Sequence, residues 1–170
     1  MNIVLIGYRG TGKSAVGKIV AERLKMKCVS MDARIVEKAG MTIPQFVEKY
    51  DWPKFRDLET EVALEAAVQD NLVIDTGGGV IERPANIPAL QKNGIIIWLK
   101  ASPEVIVSRI RGGTERPALT QGKTFTGEVA EVLEQRTPRY QAAAQFEIDT
   151  DPLSLDQVAY GVIEAYRAGH

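Results

Sequence analysis

Short apolar runs alternate along the chain with longer segments whose apolar residues recur at helical spacing. The runs cover residues 3–6, 28–31, 72–74, 95–99 and 146–148. The first and fourth are continuously apolar and β-branched, as parallel strands covered on both faces require. Between the first two, residues 13–25 place Val16, Ile19, Val20 and Leu24 at helical spacing. Residues 59–69 read as helix, with Val62, Leu64, Ala66, Ala67 and Val68. Ser102-Pro103-Glu104 has the order of a helix start: a capping hydroxyl, a proline in the first turn, then an acid. Residues 127–144 are largely helical, with an interruption expected around Pro138, and residues 154–167 form a last helix. This alternation predicts a three-layer α/β/α domain with a parallel sheet. Ligands of such sheets bind beyond the carboxyl ends of the strands. Three polar clusters follow strand-like runs: residues 7–14, Asp32 (read as the end of the second strand) and residues 75–79. Folding should gather them.

Composition narrows the function. At 170 residues, with no internal repeat, low-complexity tract or linker, residues 1–170 suit one domain with a sizeable core. The 21 Lys and Arg nearly balance the 22 Asp and Glu, so nothing requires a nucleic-acid or membrane partner. The lone cysteine, Cys28, lies in an apolar run and reads as a small core residue; it can form no intramolecular disulfide. The one histidine, His170, ends the chain, which argues against a Ser–His–Asp group or a multi-histidine metal site. No apolar run reaches membrane-spanning length, and no charged leader precedes residues 3–6. A cytoplasmic, monomeric protein is the expectation.

The richest motif is Gly7-Tyr8-Arg9-Gly10-Thr11-Gly12-Lys13-Ser14, which fits G-x-x-x-x-G-K-[ST] between a strand and a helix. Glycines let backbone N–H groups converge on phosphate oxygens. The helix that starts near Lys13 adds its own N–H groups and the positive end of its dipole. Lys13 supplies a cation for the β- and γ-phosphates, and the Ser14 hydroxyl can ligate Mg²⁺. Tyr8 and Arg9 read as exposed loop residues.

A phosphate loop alone does not separate a kinase from a switch GTPase, and no guanine-reading Asn-Lys-x-Asp follows a later strand. Asp32, Arg56 in Lys54-Phe55-Arg56-Asp57, the triplet Gly77-Gly78-Gly79, Arg116 in Glu115-Arg116-Pro117-Ala118-Leu119 and Arg136 in Gln135-Arg136-Thr137-Pro138-Arg139-Tyr140 complete the pattern. In this order, and over almost the entire chain, they resemble the shikimate kinase family. The resemblance implies that ATP phosphorylates the 3-hydroxyl of shikimate. It also implies a P-loop kinase fold with a five-stranded sheet of order 2-3-1-4-5, a lid near residues 112–124 and a substrate-binding helical segment near residues 32–61. Carried over by motif, Lys13, Asp32 and Arg116 are catalytic, with Asp32 the candidate base and Arg116 the lid arginine. Gly10, Thr11, Gly12, Lys13, Ser14 and Ala15 hold ATP together with Arg116, and Arg109 or Arg111 packs on adenine. Arg56 and Arg136 hold the substrate carboxylate, Asp32 its hydroxyls, and Gly77, Gly78 and Gly79 form its floor.

The residue types suit this chemistry independently. Guanidinium forks pair with a carboxylate at two points. Glycines permit close approach, and phosphoryl transfer needs mostly alignment and charge neutralisation. A lid between glycines such as Gly112-Gly113 and Gly122 excludes water. Duller roles compete: Asp32 as a helix cap, Arg56 and Arg136 as solvated helix-face charges, the glycines as a tight turn. Phe46, Trp52, Phe55 and Leu58 read as core, with one or two as cavity wall. The family pattern has Asp-x-Asp at the end of the second strand, where this chain has Ser30-Met31-Asp32. Asp75, ending the third strand, is the candidate to replace that acid at Mg²⁺, with Ser14; the rival is that it only braces the phosphate loop or Lys13. Other readings are a gluconate or nucleoside monophosphate kinase, or a nucleotide-dependent switch or silent ATP-binding module.

Overall fold

The computed structural model describes residues 1–110 and 125–169. In chain order the elements are β1 (Asn2–Ile6), α1 (Lys13–Leu24), β2 (Lys27–Ser30), α2 (Met31–Ala39), α3 (Ile43–Ala67), β3 (Leu72–Asp75), a 3-10 turn (Val80–Glu82), α4 (Asn86–Lys92), β4 (Gly94–Lys100), α5 (Pro103–Ile110), α6 (Phe125–Ala143), β5 (Phe146–Asp149) and α7 (Leu155–Gly169). The strands form one five-stranded sheet in the order β2-β3-β1-β4-β5, every pairing parallel.

The sheet is covered on both faces, which explains the continuous apolar runs. Val4, Ile6, Ile74, Ile96 and Trp98 pack with Met31 and Ile35 of α2, Phe55 and Val62 of α3, Leu90 of α4 and Tyr140 of α6. The alternate residues Ile3, Leu5, Val73, Ile95, Ile97 and Leu99 pack with Val16 and Val20 of α1 and Val158 and Val162 of α7. A third cluster joins Tyr8 to Ile106 of α5 and to Val129, Val132 and Leu133 of α6. Tyr8 is therefore buried, not an exposed loop residue as the motif alone suggests: the loop turns its ring under α6. Among the described residues no helix is long and apolar enough to cross a membrane.

The second strand departs from the sequence reading. It stops at Ser30, and Met31 and Asp32 already belong to α2. The reason is capping: the Ser30 Oγ accepts a hydrogen bond from the Ala33 N–H at 3.2 Å, satisfying one of the donors that open a helix. Ser30, not Asp32, is the cap, and Asp32 lies in the first turn, where an acid suits the positive dipole end.

The long α3 begins sixteen residues before the helical signal at residue 59 (59 − 43). Thr42 and Gln45 form a reciprocal capping box at its start. Within it, Asp51 adopts φ 72°, ψ 170°, so the helix bends there. The Asp51 carboxylate accepts from the Trp52 N–H at 2.8 Å, and Pro53 follows in the first turn of the resumed helix. The helix thereby presents Trp52 and Arg56 toward the strand ends. Helix α6, expected to break near Pro138, continues through it to Ala143.

Candidate active site

Gly10 and Gly12 have φ of 85° and 92°, left-handed values that side-chain-bearing residues rarely adopt. Gly12 caps α1 in this conformation, turning the chain from loop into helix. The loop is braced from within: the Thr11 hydroxyl donates to the Tyr8 carbonyl at 2.8 Å. The buried Lys13 ammonium donates to the carbonyls of Gly7 at 2.7 Å and Tyr8 at 3.0 Å. Ser14 and Ala15 follow in the first turn of α1.

Asp75 joins this loop from the end of β3. The Ser14 hydroxyl hydrogen-bonds its carboxylate, and Lys13 and Asp32 lie within electrostatic reach. Burial pushes the Asp75 carboxyl above its usual range, against Lys13 and the Ser14 hydroxyl, which favour its charged form; Asp32 adds to the rise. Lys13, Ser14, Asp32 and Asp75, from three separate parts of the chain, thus share one environment. Among the described residues no group of three or more Asp, Glu, His or Cys could cage a metal.

A cavity of about 470 Å³ is lined by Trp52, Pro53, Arg56, Glu82, Arg83, Val132, Gln135 and Arg136. Both arginines singled out by the sequence face it, one from α3 and one from α6. Each is buried and held by acids. Arg56 Nη1 donates to Glu59 Oε1 at 2.9 Å, and its guanidinium lies 5.4 Å from the Trp52 ring centre and 5.3 Å from that of Phe55. Arg136 Nε donates to Glu82 Oε1 at 3.1 Å, and Arg139 Nη1 lies 3.4 Å from Glu82 Oε2. Burial works against the Arg136 charge, but Tyr140 and Glu82 outweigh it and raise its basicity. Tyr140 is fully buried, donates to the Gly78 carbonyl and stacks on Trp98 at 5.7 Å; burial pushes its phenol up to about 12.

The glycine triplet joins the two regions. The Thr76 hydroxyl donates to the Leu5 carbonyl at 2.7 Å, fastening the start of the triplet to β1. A Cβ on Gly78 would lie 3.4 Å from the Arg9 N of the phosphate loop and 3.5 Å from Arg136 Nη1. A Cβ on Gly79 would fall 2.1 Å from Arg56 Nη1, so only glycine admits the guanidinium there. Gly78 and Gly79 are closely packed rather than part of a free turn.

Of the aromatic candidates, Trp52 lines the cavity while Phe55 is wholly core. Phe46 lines a separate surface groove with Tyr50 and Leu58. Arg109, at the end of α5, donates to the Gly10 carbonyl at 3.1 Å and to the Thr150 hydroxyl at 3.5 Å, which puts it against the phosphate loop. Arg111, Arg116 and the lid of residues 112–124 lie outside the described residues. Sequence reasoning missed Glu59, Glu82 and Tyr140. Only Glu59 had a signal, its spacing of three from Arg56 on a helix.

Known proteins resemble this chain in sequence and in fold. The family model described as "Shikimate kinase" matches residues 9–167. The chain is 42% identical over 165 residues to a shikimate kinase of Caldanaerobacter subterraneus subsp. tengcongensis, covering 97% of this chain and 95% of that protein. A second, from Caldicellulosiruptor bescii, is 36% identical over 167 residues, covering 98% and 96%. The structure of shikimate kinase from Acinetobacter baumannii in complex with shikimate superposes with a TM-score of 0.94 at 32% identity, covering 99% of this chain and 93% of that one. A gluconokinase from Sinorhizobium meliloti shares the fold alone, at TM-score 0.61 and 17% identity. With its P-loop, its parallel sheet of order 2-3-1-4-5 and relatives matched along nearly their full length, the chain belongs to the shikimate kinase family of ATP-dependent kinases.

Proposed function

We propose that this chain transfers the γ-phosphate of ATP to the 3-hydroxyl of shikimate, with the residues around the glycine floor dividing the work. The observation that carries this reading is the position of Gly78, between the phosphate loop at Arg9 and the cavity arginine Arg136. An acceptor seated on that floor lies next to a phosphate held by the loop. The complex of the Acinetobacter relative with shikimate supports this choice of acceptor.

Phosphates of ATP lie on the N–H groups of Gly10, Thr11, Gly12, Lys13, Ser14 and Ala15, with the Lys13 ammonium on the β- and γ-oxygens. Arg109, already against Gly10, packs toward the adenine end. Arg56 and Arg136 pair with the shikimate carboxylate, and Gly77, Gly78 and Gly79 support its ring. The substrate-binding helical segment is then α2 with most of α3. The opposite edge of the ring carries the 3-hydroxyl to Asp32. The hydroxyl oxygen bonds to the γ-phosphorus as the bond from phosphorus to the bridging oxygen of ADP breaks. Asp32 orients the hydroxyl and accepts its proton. Arg116 is assigned to the lid, where it closes on the transferring group.

The residues present suit Mg²⁺. It prefers oxygen ligands, keeps several waters and needs only one or two carboxylates beside the phosphates. Ser14 and Asp75 would hold it, with Asp32 close by, and when bound it would neutralise phosphate charge. A coupled assay with ATP and Mg²⁺ against shikimate, gluconate and nucleoside monophosphates tests the function. Turnover confined to shikimate is expected. Preference for another acceptor, or no turnover on any, overturns it.

A further inference from the structure

Glu82 brings a carboxylate of the protein's own to a cavity whose two arginines, on the reading above, receive a carboxylate ligand. We propose that Glu82 is a positioning residue: it grips Arg136 by the Nε edge and leaves the Nη edge for the substrate carboxylate. The proposal rests on the shikimate reading above and names a residue that reading does not use.

Three observations converge on it. Glu82 is tied to the glycine floor, since its N–H donates to the Gly79 carbonyl at 2.9 Å. Its carboxylate therefore moves with the surface on which the substrate sits. Next, Glu82 Oε1 takes the Arg136 Nε–H at 3.1 Å, while Arg136 Nη1 lies near Gly78, 3.5 Å from where a Cβ would stand. A guanidinium presents five N–H donors in a rigid planar fork. Holding it at Nε therefore fixes the direction of the remaining edge. Tyr140 bonds the same guanidinium and also donates to the Gly78 carbonyl, so arginine and floor share one network.

Charge decides whether such an acid helps or competes. An isolated Glu82 would repel an incoming carboxylate. It is not isolated: Arg139 Nη1 stands 3.4 Å from its other oxygen. Glu82 thus bridges two arginines, one buried and one half-exposed, and the cluster of three keeps a net positive charge. A preorganised fork loses less freedom when the ligand arrives, which favours binding.

The test is steady-state kinetics of E82A and E82Q with shikimate and with ATP. E82A is expected to raise the shikimate KM about tenfold, with kcat within about twofold and the ATP KM unchanged. E82Q should recover most of that loss, because its amide oxygen still accepts the Nε–H. An unchanged shikimate KM in E82A removes the positioning role. A lowered KM makes Glu82 a competitor of the substrate and overturns the proposal. Equal losses in kcat and both KM values, with no recovery in the nearly isosteric E82Q, make it merely structural. Wild-type turnover of shikimate separates failure of this inference from failure of the reading beneath it.

Discussion

Ser30 and Asp75 are register partners across the parallel ladder of β2 and β3. The family pattern has an acid where Ser30 stands, and this chain carries one a single strand away. Asp75 reaches the Ser14 hydroxyl from there. Asp75→Asn should therefore raise the Mg²⁺ concentration needed for half-maximal turnover about 10-fold or more, a usual loss at a metal-site residue. Adding Ser30→Asp should restore it, since aspartate can also cap α2 at the Ala33 N–H. Mg²⁺ titrations of turnover, with calorimetry of Mg²⁺ and a non-hydrolysable ATP analogue, check this. Unaltered Mg²⁺ dependence in Asp75→Asn would leave Asp75 as a brace of the loop.

The same carboxylate carries a stability cost. Its pKa is raised in the folded chain by burial. Below the unfolded value both states hold the proton and no penalty exists. As pH rises through the folded value, ionisation in the buried position destabilises the protein. Asp75→Asn should therefore melt higher than the parent at neutral pH without ligands, and the advantage should vanish in acid. Thermal melts from pH 3 to 8, a range set about the ordinary carboxylate value, measure it. A variant less stable than the parent at pH 7 would contradict this account.

Gly79 and Arg56 cannot both stay in place once residue 79 gains a methyl group, because the new Cβ would sit 2.1 Å from Nη1. The guanidinium, the far end of a flexible side chain, must move. Gly79→Ala should raise the shikimate KM by roughly 10-fold or more while the ATP KM holds. Isothermal titration with shikimate reads the loss directly, and wild-type affinity would remove Arg56 from the carboxylate site.

Tyr140→Phe keeps the ring on Trp98 but deletes the hydroxyl between Arg136 and Gly78. Leaving those groups short of a partner should cost about 1–3 kcal/mol, seen by urea unfolding. The wild-type phenol has its pKa raised to about 12. Its advantage should persist below pH 10, near the ordinary tyrosine value, and be lost as pH rises toward about 12. Equal stability of the two proteins would show the hydroxyl to be idle.

Much of the architecture was legible because its signals are local. β1 and β4 announced themselves as unbroken apolar runs, buried as they are on both faces. The motif at residues 7–14 named its own backbone conformation, since left-handed turns at Gly10 and Gly12 need glycine. Boundaries were less legible. Whether Ser30 or Asp32 caps α2 depends on which side chain reaches the Ala33 N–H, and both are good caps. The start of α3 lay outside the helical signal read from residue 59: Asp51 turns the chain there, so that Pro53 sits in the first turn of the resumed helix.

Sequence alone determined the phosphate loop, the alternation of strands with helices and the residue types offered to an anionic substrate, because each follows from short-range stereochemistry or side-chain chemistry. Tertiary structure decided the rest: Asp75 beside Ser30 and Ser14, Gly79 under Arg56, and Glu82 on Arg136, with Tyr8 turned inward. Those pairs are set by the register of parallel strands and the packing of α3 and α6 over the sheet, which bring together residues far apart in the chain.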